Sequence, residues 1–212
     1  MIVVGITGGL STGKSTVAGL FRGLGAGALD ADQISHELAK PETAIYRKVV
    51  SCFGKQILNK DKTIDRKKLA AAVFGKQKNL LKLCGIIHPA VIKKIENSIK
   101  EERKKRRFKI LVVDAPLLFE AGTERLFDII VVVTASRKTQ LLRSREKLGL
   151  SKSQIESRMR AQIPMLVKEA LADFVIDNNG SINNTKRETE MIWKKLVGKE
   201  KVARCYRSHV WK

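Results

Sequence analysis

A glycine-rich segment near the amino terminus constrains the fold of this chain more than any other feature. Gly8-Gly9-Leu10-Ser11-Thr12-Gly13-Lys14-Ser15 matches the pattern G-x-x-x-x-G-K-[ST] at every fixed position. The apolar run at residues 2–7 predicts a strand before it, and the periodic run from Lys14 predicts a helix after it. In that context the pattern is typical of a phosphate-binding loop at the edge of a parallel α/β sheet.

Each fixed position of the loop has a physical reason. Glycines allow a turn tight enough for successive backbone amides to point inward at phosphate oxygens, and the following helix adds its positive end. The Lys14 side chain can reach the β- and γ-phosphates, and the Ser15 hydroxyl can ligate Mg²⁺. The sequence therefore predicts a site for a magnesium-bound nucleoside triphosphate, formed by Gly8, Ser11, Thr12, Gly13, Lys14, Ser15 and Thr16.

Strand-like and helix-like runs alternate along the chain. Strands are predicted at residues 2–7, 27–30, 110–114, 128–134 and 174–177, and helices at 14–24, 33–40, from 138 into the 140s, and at 185–197. This order indicates an α/β fold of the P-loop NTPase type, with a parallel sheet flanked by helices on both faces.

A long insertion separates the second and third predicted strands. Helical patterns occur in it at residues 44–53, 66–74 and 89–99, without a convincing strand. Because an insertion of this length is uncommon unless it has a function, we expect a helical domain at residues 41–107 that encloses a substrate. The nucleotide-binding core then comprises residues 1–40 and 108–212. A segment rich in arginine, serine and glutamine, at about residues 143–162, is a second candidate for a mobile element.

The chain is strongly basic, with 42 Lys and Arg against 21 Asp and Glu and a net charge of +21. Such a charge attracts polyanions such as nucleotides, phosphorylated substrates or nucleic acid, or serves only for solubility. The basic run at residues 103–107 precedes an apolar strand, which favours a solvated helix end over a nucleic-acid patch. We expect no nucleic-acid partner. The basic segment at residues 199–212 is expected to be a frayed terminus.

The cysteines and the apolar runs indicate the compartment. Cys52, Cys84 and Cys205 are odd in number and widely spaced, which disfavours a disulfide framework or a zinc site and fits a reducing cytosol. The longest apolar stretches are too short to cross a bilayer, and no signal peptide is evident. We expect a soluble, cytoplasmic protein without a membrane partner.

Several charged residues follow predicted strands, at the edge where ligands of open α/β sheets gather. Asp32 could orient an acceptor hydroxyl, or it could only cap the next helix. Asp114 ends the third strand, where an acid assists magnesium in such folds. Arg143 and Arg145 follow the fourth strand and could neutralise a transferring phosphoryl group, or lie on a solvated helix.

These residues together resemble the dephospho-coenzyme A kinase family, from Val3 to about Val197. The segments that carry the resemblance are Gly5-Ile6-Thr7-Gly8-Gly9, Leu29-Asp30-Ala31-Asp32, Phe53-Gly54, Ile64-Asp65-Arg66-Lys67-Lys68-Leu69, His88-Pro89, Asp114-Ala115-Pro116-Leu117-Leu118-Phe119-Glu120, Arg158 with Gln162, and Val175-Ile176-Asp177-Asn178. Their order along the chain is more specific than the phosphate loop alone.

The resemblance implies ATP-dependent phosphorylation of the ribose 3′-hydroxyl of dephospho-coenzyme A, with a nucleotide core, a helical acceptor domain and a lid. It implies that Asp32 is the candidate base and that Arg143 is the lid-side arginine. Arg66 and His88 fall in the acceptor-binding region, although His88 before Pro89 could instead mark a structural helix start. Asn178 falls near the adenine of ATP.

One departure from the family pattern bears on catalysis. The family usually has Glu-Arg-Asp before the lid, whereas this chain has Glu146-Lys147-Leu148. Lys147 keeps the charge but lacks the planar, bidentate guanidinium.

The alternatives left by the sequence are another small-molecule kinase, acting on a nucleoside monophosphate or a sugar, and a GTP switch or nucleic-acid-dependent ATPase. Asp177-Asn178-Asn179-Gly180 has the form of a switch motif, but it lies too near the carboxyl end and no guanine-reading motif accompanies it.

Overall fold

Five short apolar runs form one parallel sheet. The computed structural model describes residues 1–73 and 76–198, so that the basic segment at 199–212, with Cys205, and the predicted helix end at Phe74 lie outside the described residues. The strands are β1 (Ile2–Gly8), β2 (Gly27–Asp30), β3 (Ile110–Asp114), β4 (Ile129–Thr134) and β5 (Phe174–Asp177). Their order in the sheet is β2-β3-β1-β4-β5, and every pair is parallel. The predicted fold class is confirmed.

Nine helices of the described residues surround or extend this sheet. They are α1 (Lys14–Gly23), α2 (Ala31–Leu38), α3 (Ala44–Phe53), α4 (Arg66–Val73), α5 (Gln77–Lys105), α6 (Arg137–Leu148), α7 (Lys152–Arg160), α8 (Met165–Ala170) and α9 (Ile182–Gly198). Single turns of 3₁₀ helix occur at Lys55–Ile57 and Glu124–Leu126.

The sheet is buried on both faces, as parallel sheets with crossover helices are. Side chains alternate along β1, so that Val3 packs in the cluster with α2 and α5, and Val4 packs in the cluster with α1 and α9. A third apolar cluster, built on Val49, Phe53, Ile57 and Val73, lies within the insertion. Helices α3 and α4 therefore have a small core of their own, shared with the first half of α5.

The sequence predicts that a helix starts at Pro89, and this boundary is wrong. α5 is continuous over 29 residues with Pro89 inside it. A proline inside a helix removes one N–H donor and crowds the carbonyl four residues earlier, at a cost of about 3 kcal/mol. Here α5 packs against α2, α3 and α4, and this tertiary packing overrides the proline.

The basic run at residues 103–107 ends α5. Arg103, Lys104 and Lys105 form its last turn, and Arg106 ends it in the left-handed conformation with φ 52°. All three last-turn side chains are exposed, at the end of the helix where positive charge is favourable. The prediction of a solvated helix end is confirmed.

Candidate active site

The loop between β1 and α1 turns sharply at Gly13. Gly13 caps α1 with φ 97°, a backbone conformation that other residues rarely adopt. A Cβ on Gly13 would also collide with the side-chain nitrogen of Asn178. Backbone angle and space together therefore require glycine at this position of the pattern.

Carbonyl groups of this loop are bonded to side chains. The Gly9 carbonyl accepts hydrogen bonds from Lys14 Nζ at 2.8 Å and from Thr12 Oγ1 at 3.1 Å. The Thr12 carbonyl accepts one from Asn178 Nδ2 at 2.7 Å. These bonds fix the loop backbone against Lys14 and Asn178, both of which line the same cavity.

Lys14 is nearly enclosed, with 9% of its surface exposed. Burial lowers the pKa of its ammonium group, and the negative charges of Asp114 and Asp32 oppose that shift. A phosphate group beside Lys14 would add further negative charge and favour the protonated form. The site is therefore suited to a polyanion.

Ser15 and Asp114 lie side by side at the magnesium position predicted from sequence. Ser15 Oγ donates a 2.7 Å hydrogen bond to Asp114 Oδ2. Asp114 Oδ1 is buried and has no hydrogen-bond partner among the described residues, and burial raises the pKa of this carboxyl group. A hydroxyl beside a carboxylate with a free oxygen fits a hydrated divalent cation, which usually keeps several waters and few protein ligands.

The structure separates the two roles that the sequence left open for Asp32. The side chain of Asp30 accepts the hydrogen bond from the Gln33 amide and is the N-cap of α2. The helix consequently starts at Ala31, two residues before the predicted start. Asp32 lies in the first turn, where it is not the capping residue. Burial, followed by the negative charge of Asp30, raises its pKa, whereas Lys14 and Arg66 act in the opposite direction.

Two cavities meet at Asp32. One, of about 530 Å³, is lined by the phosphate loop with Lys14, Ser15, Asp114 and Arg143. The other, of about 300 Å³ and mostly apolar, lies between α2, α4, α5 and the segment after β3. Asp32 and Pro116 line both. The Asp32 carboxylate is thus the one ionisable group of the described residues shared by the two cavities.

Arg143 reaches the phosphate loop from α6. Its guanidinium donates to the carbonyl of Thr12 at 3.3 Å and to the carbonyl of Asn178 at 3.0 Å. Arg145, two residues on, is exposed and is not part of the cavity wall. The structure therefore distinguishes two arginines that the sequence could not separate.

Asn178 is buried, and both the nitrogen and the oxygen of its side-chain amide form a hydrogen bond. Besides the bond to Thr12, its Oδ1 accepts a 2.8 Å hydrogen bond from Thr185 Oγ1. The residue lines the larger cavity, and its side chain connects the loop after β5 to the phosphate loop.

Arg66 and His88 both line the apolar cavity. Arg66, at the start of α4, also lines a third cavity of about 380 Å³ together with His36 and Lys40. His88 lies in the middle of α5, and burial lowers its pKa while the charge of Glu120 opposes the shift. The two residues predicted for acceptor binding are therefore brought to one cavity.

Three residues beside the phosphate loop were not predicted to have a role. Ser144 Oγ bonds to Ser11 Oγ at 2.8 Å, and the buried Lys168 forms a 2.7 Å ion pair with Glu120. The Glu120 segment was noted in the resemblance, but nothing in the sequence indicated its partner. A lysine in an apolar helix pattern was the only available signal.

No helix in residues 1–73 or 76–198 has the length and apolar character of a membrane span. In the same ranges, no group of three or more His, Cys, Asp or Glu side chains is arranged to hold a metal ion by itself.

Comparison with known proteins identifies the family of this chain. The chain matches the family model described as dephospho-CoA kinase over residues 2–184. It is 42% identical, over 198 residues, to a dephospho-CoA kinase of Carboxydothermus hydrogenoformans, covering 93% of this chain and 96% of that protein.

Two solved structures share the fold of this chain. The structure of TT1252 from Thermus thermophilus superposes with a TM-score of 0.74 at 29% identity, covering 92% of this chain and 97% of the other. The dephospho-CoA kinase of Campylobacter jejuni superposes with a TM-score of 0.66 at 28% identity, covering 92% and 98%. The resemblance found in the sequence is confirmed, and the chain belongs to the dephospho-CoA kinase family.

Proposed function

We propose that this protein transfers the γ-phosphoryl group of ATP to the ribose 3′-hydroxyl of dephospho-coenzyme A, giving coenzyme A and ADP in the last step of coenzyme A biosynthesis. The observation that carries the proposal is the position of Asp32 between the phosphate-loop cavity and the apolar cavity. A kinase must bring a donor phosphate and an acceptor hydroxyl together at one point, and these cavities meet at a carboxylate.

In this proposal the larger cavity holds ATP. The amides of residues 9–15, with the start of α1, surround the phosphates, and Lys14 exchanges its bond to the Gly9 carbonyl for phosphate oxygens. Asn178 holds the loop near the base-binding side through its bonds to Thr12 and Thr185.

Ser15 and Asp114 would hold Mg²⁺, Ser15 directly and Asp114 through water. The paired Ser15 hydroxyl and the partnerless Asp114 Oδ1 support this assignment. When bound, the ion neutralises charge on the transferring phosphoryl group.

Asp32 orients the acceptor hydroxyl and accepts its proton as transfer proceeds. A carboxylate with a raised pKa accepts a proton more readily than an ordinary aspartate does. Because the transition state of phosphoryl transfer is loose, orientation contributes at least as much as proton removal.

The helical segment at residues 41–107 would be the acceptor domain. With the 3′-hydroxyl at Asp32, the attached adenosine would occupy the apolar cavity beside His88. The diphosphate would lie toward Arg66, His36 and Lys40, which line the adjoining third cavity. In this arrangement the base contacts the apolar cavity wall, and the anionic diphosphate contacts the basic side chains of the third cavity.

Arg143 and the segment at about residues 143–162 would close over the donor. Arg143 already contacts the loop through the Thr12 carbonyl, so a small movement could bring its guanidinium to the transferring phosphoryl group. Closure of this lid would exclude water, which otherwise competes as an acceptor. We propose that the reaction takes place in the cytoplasm.

The test is ADP release by the purified protein with Mg-ATP, with and without dephospho-coenzyme A, and mass spectrometry of the product. We expect ADP release to depend on the acceptor and the product to carry one added phosphoryl group. Release without acceptor dependence would contradict the proposed reaction, and a panel of nucleoside monophosphates and sugars would then identify the acceptor.

A further inference from the structure

Lys168 is a buried cation that the proposed mechanism does not use. Its side chain, on α8, is completely enclosed, and its Nζ lies 2.7 Å from Glu120 Oε1 and 3.4 Å from the carbonyl of Gly8. A buried charge is costly unless it is paired, so a fully enclosed lysine at the start of the phosphate loop requires an explanation.

Glu120, the partner of Lys168, has a second contact. Its Oε1 also accepts a 3.0 Å hydrogen bond from the amide of Ile163, directly after the proposed lid segment. Its Oε2 is buried and has no hydrogen-bond partner in the described part of the chain. The ion pair therefore joins three segments: the loop after β3, the residue that follows the lid, and the phosphate loop.

Packing on α8 holds the same end of the phosphate loop. A Cβ placed on Gly9 would come within 2.9 Å of Met165 Cε, so α8 lies directly against the loop backbone. The other end is bonded to α6 and the loop after β5 through Ser144, Arg143 and Asn178. Lys168 donates a side-chain hydrogen bond to the Gly8 carbonyl at this end of the loop.

We propose that Lys168 and Glu120 are a positioning pair, which fixes the entrance of the phosphate loop relative to the end of the lid so that the amides after Gly8 face the triphosphate. The inference rests on the proposed ATP-binding role of the loop. Neither residue contacts the reacting atoms. Lys168 acts through the Gly8 carbonyl, and Glu120 acts through Lys168 and the Ile163 amide.

The first test is titration of Mg-ATP into the protein by calorimetry, without acceptor, for the wild type, Lys168→Met and the exposed control Lys194→Met. We expect Lys168→Met to weaken ATP binding about tenfold and the control to leave it unchanged. Because no acceptor is present, an error in the assigned acceptor does not affect this result. In kinetic assays, KM for ATP should rise more than KM for dephospho-coenzyme A.

Lys168→Met also leaves the Glu120 carboxylate buried without its cation, which destabilises the fold. The double variant Lys168→Met/Glu120→Leu removes both charges but also the acceptor of the Ile163 amide, so its thermal midpoint should lie between those of Lys168→Met and the wild type. Its ATP affinity should stay about tenfold below wild type. Hydrogen exchange of the peptide containing residues 8–13 should be faster in it than in the wild type.

Glu120→Gln is a milder variant that keeps Lys168 and its contact with Gly8. It should weaken ATP binding less than about threefold. Wild-type ATP affinity in the double variant would overturn the proposal. So would a larger loss in Glu120→Gln than in Lys168→Met, since the loop would then not be held through the lysine.

Discussion

Ser15 Oγ donates a 2.7 Å hydrogen bond to Asp114 Oδ2, and this bond joins the first turn of α1 to the end of β3. The two residues are separated by 99 positions in the sequence. Parallel pairing of β1 with β3 brings them together, because both carboxyl ends lie at the same edge of the sheet.

Asp114→Asn should impair the use of magnesium. The amide keeps the shape of the side chain but has a single acceptor oxygen and no charge, so that it binds a hydrated cation less well. We expect kcat to fall about 10- to 100-fold and the half-saturating Mg²⁺ concentration to rise. Titration of ADP release with Mg²⁺ at fixed ATP measures both. The exposed Asp61→Asn is the matched control, and equal behaviour of the two variants would contradict the assignment.

Asp32→Asn should separate activity from stability. Loss of the carboxylate should lower kcat at least about 100-fold. The raised pKa means that the folded state disfavours the ionised form, so the neutral amide should not lower the thermal midpoint. Calorimetric binding of Mg-ATP should be retained. A variant with wild-type turnover would exclude Asp32 from the reaction.

The acid side of the pH–rate profile should shift in Asp30→Asn. The reaction requires ionised Asp32, so the rate is lost as pH falls through its raised pKa. Removal of the Asp30 charge lowers that pKa, and the acid limb of kcat/KM for dephospho-coenzyme A should move to lower pH. Asparagine also caps helices well, so α2 should stay intact. An unmoved or upward-moved limb would contradict the role of Asp32.

Arg143→Lys should weaken the use of ATP. The guanidinium reaches the carbonyls of Thr12 and Asn178 together, which a single ammonium group cannot do in the same geometry. We expect kcat/KM for ATP to fall about tenfold. Arg145→Lys, on the exposed side of the same helix, is the matched control and should change it less than about twofold. Equal losses would indicate a general effect of charge.

The sequence predicts the sheet well because buried parallel strands are continuous apolar runs, and each strand boundary lies within one residue of its prediction. Asp32 could be placed at the end of β2 for the same reason. The sequence could not show that Asp32 is not the N-cap of α2, because the N-cap is whichever aspartate accepts the hydrogen bond from the Gln33 amide.

Local sequence patterns do not predict contacts between segments that are far apart in the chain. Lys168 and Gly8 are 160 positions apart, and Arg143 and Thr12 are 131 apart. Pro89 shows the complementary case, in which a strong local signal for a helix boundary is overridden by the packing of α5 against its neighbours.

Lys147 stands where the resemblance to the family leads us to expect an arginine, and its exposed side chain lines the cavity that contains the phosphate loop. The ammonium group of a lysine at this position would interact with the phosphates as a single point charge. An arginine would supply the same charge through a planar fork that can bond two phosphate oxygens at once.

Lys147→Arg should therefore raise kcat by about two- to tenfold, with little change in the thermal midpoint, since the side chain is exposed. Steady-state assays with saturating Mg-ATP and dephospho-coenzyme A measure the change. Lys152→Arg, outside the cavity at the start of α7, controls for added guanidinium groups. If both Lys147→Arg and Lys147→Ala leave kcat unchanged, the side chain at position 147 does not contact the transferring phosphoryl group in this protein. A gain in Lys147→Arg with a loss in Lys147→Ala would show that the lysine contributes charge and that its geometry limits turnover.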